Sequence, residues 1–176
     1  MRVLVGVLFG VAIAAGAAIA AGVSPVQTLA GVYSESFQNQ LVNGESYQAE
    51  NVLTIVPTGP RAAYFDTSLE FYNGHQCAVS GIAHVEGSEL VYHEPVSKQV
   101  GDERCVLHLA RKGRKVVISD EEGTCKAYCG ARGSLSGIGL PASSRSAMTR
   151  RDRLKIAGDI KQALQEDAGA KAPPKP

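Results

Sequence analysis

Between Ala63 and Tyr72 the side chains alternate without a break. Ala63, Phe65, Thr67, Leu69 and Phe71 share one face, and Tyr64, Asp66, Ser68, Glu70 and Tyr72 share the other. A period of two places successive side chains on opposite faces of an extended strand, so this segment cannot bury one face as a helix. Shorter patches of the same kind occur at Val52–Val56, at Cys105–Ala110 and at Val116–Ile118. In the second of these, Leu107 and Leu109 oppose Val106 and His108. Asn43-Gly44 and Asn73-Gly74 lie between such runs, and both residue types tolerate the positive φ of tight hairpin turns. Gly87 and Lys112-Gly113 mark two further turns, and Pro57-Thr58-Gly59-Pro60 separates one strand from the next.

Eight strands are expected, near residues 31–40, 46–56, 62–72, 76–85, 89–94, 104–111, 115–120 and 131–137. Short turns between sequential strands favour an antiparallel meander. Eight strands suffice to close a barrel of the lipocalin or avidin kind, which removes exposed sheet edges. The fold class is therefore all-β, an eight-stranded meander barrel, with a β-sandwich as the alternative. The β domain is placed at 31–139 and a linker at 140–148. A surface helix capped by Thr149 follows at 149–166, then a disordered tail at 167–176. Leu154, Ala157, Ile160 or Lys161, and Leu164 form the helix's apolar side.

A meander sorts its connections between two ends. The turns at 43–44 and 73–74 share an end with the loops at 95–103 and 121–130. Cys77 and Cys105 begin strands at that end, and Cys125 and Cys129 lie in its last loop, so all four cysteines meet at one rim. An even cysteine count in an exported chain reads as disulfides. Cys105–Cys125 with Cys77–Cys129 is the favoured pairing. A local Cys125–Cys129 bridge with Cys77–Cys105 is the alternative. Each bridge is expected to stabilise the fold by roughly 2–4 kcal/mol. Zinc is not expected, because Cys125-x-x-x-Cys129 has no second pair at matching spacing.

Export is read from the N-terminus. Met1-Arg2 precedes a run from Val3 to Val23 without charged side chains, and Ala18-Ile19-Ala20 fits a cleavage site, giving a signal peptide at 1–20. An uncleaved anchor is the alternative, since 21 helical residues reach roughly 32 Å. Either outcome places the domain in the periplasm or outside the cell, with membrane attachment only if the segment is uncleaved. Without Arg2 the chain carries 17 basic and 17 acidic residues. A balanced charge gives no general attraction to nucleic acid. The charges are nonetheless uneven along the chain: ten acids and three bases from Gly31 to Arg104, then five acids and twelve bases from Cys105 to Lys161. Closing a barrel interleaves the two halves and is expected to erase this asymmetry.

No catalytic or cofactor motif is present. The histidines sit at unrelated spacings, no Gly-x-Ser-x-Gly elbow occurs, and no phosphate-cradling loop opens a helix, so neither an enzyme nor a cofactor is expected. The most distinctive segment is Cys125-Lys-Ala-Tyr128-Cys129-Gly-Ala-Arg132-Gly-Ser134-Leu135. A bridged, glycine-rich loop bearing one Tyr and one Arg presents side chains that favour interface hot spots at a reduced ordering cost. The candidate binding residues are Tyr128, Arg132 and Ser134, with His75 and Arg104 at the same end. In the structural reading of the same residues, Tyr128 plugs the barrel end and Arg132 pairs with a nearby acid.

The signal segment, the eight-stranded pattern, the cysteines of the C-terminal half and Gly130-Ala131-Arg132 together resemble small exported β-barrel proteins of Gram-negative bacteria that include periplasmic lysozyme inhibitors. Some of those carry a Ser-Gly-Ala-Arg-Tyr-like stretch that enters the enzyme cleft. Here Cys129 stands at the Ser position and Gly133 at the Tyr position. The resemblance implies a protein-binding module that inhibits a basic cell-wall hydrolase, with Arg132 near the enzyme's acidic groups and Tyr128 beside it. Small-ligand binding inside the barrel or a structural role in the envelope is the alternative, although Phe65, Leu69, Phe71, Leu107 and Leu109 look bulky enough to fill the interior.

Overall fold

The structure, a computed structural model, describes residues 23–171. The expected signal peptide and residues 172–176 of the expected tail lie outside them. A short helix α1 (Pro25–Leu29) leads into β1 (Gly31–Gln40), β2 (Ser46–Gly59), β3 (Ala62–Glu70), β4 (Gln76–Glu86) and β5 (Glu89–His93). β6 (Val106–Lys112), β7 (Lys115–Ser119) and β8 (Ile138–Pro141) complete one antiparallel sheet in sequential order, and α2 (Arg150–Lys171) ends the chain. The meander is thus an eight-stranded, nearly closed barrel with a C-terminal helix. The segment after β8 fills the gap between β8 and β1. Val32 and Ser146 exchange two backbone hydrogen bonds of 3.0 and 2.8 Å, and the Val32 neighbour Ser34 donates its N–H to Ser144 Oγ.

The alternation read from the sequence decides what lies inside. Ala63, Phe65, Thr67 and Leu69 of β3 are all buried, as are Leu107 and Leu109 of β6; Phe71 packs half-buried at the edge of this core. Thr67 is the polar exception, and it bonds both to the N–H and to the C=O of Val79 across the β3–β4 pair. Phe65 and Tyr92 meet edge-on, with centroids 5.1 Å apart. Gly81 lies under Tyr92 so closely that a Cβ there would sit 2.4 Å from the ring. Tyr33, Leu53, Ile55 and Ile118 occupy further interior positions. Such an interior is packed with side chains.

Both ends are closed. α1 buries Val26 and Leu29 where the chain enters, and Tyr33 donates its hydroxyl hydrogen bond to the Leu29 carbonyl. The opposite end, reached by the turns at 41–45 and 71–75, carries two disulfides, Cys77–Cys129 and Cys105–Cys125. This is the favoured pairing. At Asn73-Gly74 both residues adopt positive φ, 61° and 69°, as the hairpin signal requires.

Four expectations need correction. Residues 131–137 form no strand, and the eighth strand lies at Ile138–Pro141. The Cys77–Cys129 bridge draws the preceding segment across the rim, where the Gly133 N–H bonds the Gly130 carbonyl in a turn. The segment 140–148 is not a free linker, since it closes the barrel against β1. The helix continues to Lys171, beyond the expected start of the tail at 167, and Asp167 pairs with His84 at 2.8 Å. Its buried side is Ile156, Ile160 and Ala163, packed on Val56, Ala62, Tyr64 and Ile82 of the barrel's outer surface, while Leu154 and Leu164 face solvent. The Thr149 cap forms as expected. Asp152 N–H donates to Thr149 Oγ1 and Thr149 N–H donates to the Asp152 carboxylate, a reciprocal capping box.

The filled interior makes a direct prediction. Gly81→Ala forces a methyl into the ring of Tyr92, and urea unfolding is expected to show a loss of roughly 1–3 kcal/mol. An unchanged midpoint would mean that Tyr92 has room to move.

Candidate functional site: the disulfide rim

Two buried carboxylates organise the rim. Glu94, at the end of β5, is almost wholly buried. One of its oxygens accepts the N–H of Cys105 at 2.8 Å, and the other accepts the N–H of Val100 at 3.2 Å and the hydroxyl of Tyr128. Glu94 thereby folds the long 95–104 loop back on itself and holds one half-cystine in place. Asp120, after β7, does the same for its partner. Its two oxygens accept the N–H groups of Thr124 and Cys125 at 2.9 and 3.1 Å, and Thr124 Oγ1 accepts the N–H of Val106. Each half of the Cys105–Cys125 bridge is therefore hydrogen-bonded through its own N–H to a buried carboxylate. Bonds to an ionised acceptor are the stronger class, and they offset the cost of burying the charge.

The second bridge fixes the 125–135 segment. Gly130 donates its N–H to the Gln76 carbonyl at 2.8 Å and packs against His75. At Gly133 a Cβ would lie 2.6 Å from Cys77 Sγ, so only glycine fits without displacing the bridge. Leu135 is buried beneath.

The candidate residues separate into two groups. Tyr128 points inward, half-buried, with its hydroxyl on Glu94, and it plugs the barrel end as the structural reading has it. Burial raises its pKa strongly, and the bond to Glu94 raises it further. Tyr92 is buried next to this pair, and its pKa is likewise raised by desolvation and then by the Glu94 charge. Arg132 points outward. Its guanidinium carbon lies 5.4 Å from the centroid of Tyr72, so its partner is an aromatic face, and among the described residues it pairs with no acid, contrary to the expectation. Ser134 is exposed and accepts the Ser136 N–H. Arg104 is exposed, and His75 is half-buried with no carboxylate partner among the described residues. The rim thus brings Arg132 to solvent and withdraws Tyr128.

Sequence reasoning missed Tyr72, Glu94 and the apolar tips. Among the large hydrophobic side chains exposed in the described residues, four sit on connections at this end: Val42 at 75%, Val96 at 69%, Val100 at 59% and Tyr72 at 40%. The 41–45 and 71–75 turns are tied together by a hydrogen bond from Val42 N–H to Asn73 Oδ1. Exposed acids stand beside them: Glu45, Asp102, Glu103, Glu121 and Glu122. Val42 before Asn43-Gly44 and Tyr72 before Asn73-Gly74 were the available signal. Among the described residues no group of three or more His, Cys, Asp or Glu side chains is arranged to hold a metal ion.

Comparison with known proteins adds no relative: no family model matches the chain, no curated protein matches it, and no solved structure matches it.

The buried phenols generate a pH prediction. Tyr64, beneath α2, is pushed up to about 12 by burial, and Tyr92 and Tyr128 are raised as well. An unfolded chain releases phenol protons near pH 10, whereas the folded chain retains these. Stability is therefore independent of these groups below about pH 10 and falls as pH climbs past it. Absorbance at the phenolate band should show at least three of the six tyrosines ionising only with unfolding. Ionisation of all six before the loss of structure would contradict this arrangement.

Proposed function

We propose that the protein is an exported protein-binding module of the periplasm or extracellular space, and that the disulfide rim is its recognition surface. One observation carries the reading: exposed apolar side chains and an arginine seated on an aromatic ring are gathered where two disulfides and two buried carboxylates hold the loops. Apolar surface left in water on a preorganised frame is surface available to a partner, and Tyr and Arg are the residue types that dominate interface energetics. The two disulfides accord with an oxidising compartment.

In its sharper form the partner is a basic cell-wall hydrolase of the lysozyme type. Five exposed acids against three exposed bases, Arg104, Lys126 and Arg132, leave the rim net acidic, which favours a basic partner by steering its approach. Arg132 enters the carboxylate-bearing cleft, and Tyr72 packs beside it in the place first given to Tyr128. The resemblance of Gly130-Ala131-Arg132 to an inhibitory loop points the same way.

Inhibition of a lysozyme by the oxidised protein tests this reading. The wild-type chain is expected to inhibit, and Arg132→Ala to weaken inhibition about thirtyfold, the loss of one hot-spot contact. Full inhibition by Arg132→Ala would remove that residue from the contact, and no inhibition by the wild type would remove the hydrolase as partner.

A further inference from the structure

The charge asymmetry of the sequence is not erased by folding; part of it is converted into a difference between the two ends of the barrel. At the end where the chain enters, exposed basic residues accumulate: Arg61 after β2, the run from Arg111 to Lys115 around the β6–β7 turn, Arg145, and Arg150, Arg151 and Arg153 at the start of α2. The acids there are already engaged. Glu86 bonds His93, Glu89 bonds His108, and Asp152 caps α2. The opposite rim carries the five exposed acids described above against three exposed bases, Arg104, Lys126 and Arg132.

Two clefts open at the basic end. One, of about 490 Å³, has Leu29, Pro60 and Val85 in its walls and Arg61 and Arg111 among its lining residues. The other, of about 400 Å³, has Ile55, Pro57 and Met148 in its walls and Arg145 and Arg153 among its lining residues. Neither is lined by an acidic residue. All four arginines donate to backbone carbonyls, of Val85, Gly113, Gln27 and Met148, and none is paired with a carboxylate among the described residues. Four uncompensated guanidinium groups beside apolar walls match a ligand that is anionic at its head and apolar behind it. The uncharged run Val3–Val23 joins the domain at this same end, where Val23 lines the larger cleft. Leu154, among the α2 arginines, is exposed as well.

We propose that this end is a docking surface for a membrane containing anionic phospholipid, whose headgroups enter the two arginine-bearing clefts. α2 is not apolar enough to cross a bilayer, so the contact made by the domain is peripheral. A nucleic acid or other soluble polyanion would satisfy the charge but not the apolar walls. Docking in this orientation leaves the acidic disulfide rim facing away from the lipid, free for a protein partner.

Binding of the full chain to phosphatidylcholine vesicles, with and without phosphatidylglycerol, tests the proposal. The apolar N-terminal run contributes to both, so the readout is the excess on the anionic vesicles. Basic residues near an anionic surface strengthen binding roughly fivefold each at low salt. The wild-type chain is expected to bind the anionic vesicles at least tenfold more tightly, and to lose the excess as salt shortens the reach of the charges. Arg61→Glu with Arg111→Glu, and Arg145→Glu with Arg153→Glu, should each reduce the excess at least tenfold. Lys126→Glu with Arg132→Glu at the opposite rim should retain it. Equal binding to both vesicles would overturn the proposal, as would loss of the excess in the rim variant alone. Heparin binding as tight as that to anionic vesicles would overturn the lipid assignment in favour of a general polyanion surface. Salt dependence of the wild-type chain decides the matter if a charge-reversed variant fails to fold. The rim variant also separates this proposal from hydrolase inhibition, because it should lose inhibition and keep the lipid excess.

Discussion

The rim depends on one local arrangement, in which two buried carboxylates bond the N–H groups of the two half-cystines that a disulfide joins. Glu94 holds Cys105, Asp120 holds Cys125, and the Cys105–Cys125 bridge ties the β5–β6 loop to the segment after β7. A disulfide alone restricts how far two loops can separate, but it leaves their backbones free to turn about it. A buried carboxylate alone is costly unless its oxygens are satisfied. Together they fix position and orientation, and the hydroxyl of Tyr128 completes the Glu94 site from inside the barrel. Cys77–Cys129 then anchors the other side of the same segment to the start of β4.

This arrangement explains why the outer side chains are presented as they are. The residues between Cys125 and Leu135 lack strand partners over most of their length, and bridges take the place of a ladder. Gly130 and Gly133 allow the approach to His75 and Cys77 that the bridge demands. Tyr128 faces inward as a plug, and Arg132 is left outside, over Tyr72. A tyrosine and an arginine four residues apart thus take opposite roles. The opposite end is built on other physics: α1 closes it with two apolar side chains, and its surface carries arginines that bond backbone carbonyls and no carboxylate among the described residues.

The barrel was legible because period-2 alternation and Asn-Gly turns act locally, and a sequential meander follows from short turns alone. The gathering of four cysteines at one rim, and their pairing, followed from the same geometry. The eighth strand was misplaced because its cues lie outside itself. Ala131–Gly137 has only Leu135 to bury, whereas Ile138–Pro141 is recruited by pairing with β7. The helix face was misread for a related reason. Of the expected face only Ile160 packs on the barrel; Ile156 and Ala163 join it against Tyr64 and Ile82, while Leu154 and Leu164 face solvent. That choice depends on a patch of barrel surface built nearly a hundred residues earlier and on pairs such as His84–Asp167. Glu94 carried no signal of its own at the end of the expected 89–94 strand, because its three donors come together only when the loop closes.

Native-state amide hydrogen exchange tests the central claim most directly. In the oxidised protein, the amides of Cys105, Thr124 and Cys125 should exchange as slowly as those of the β2–β3 ladder, although none of the three belongs to a strand. Reduction of the bridges should release these three while β2 and β3 remain protected. Rapid exchange at Cys105 and Cys125 with both disulfides intact would show that the carboxylates do not hold the rim, and the account of a preorganised surface would fall.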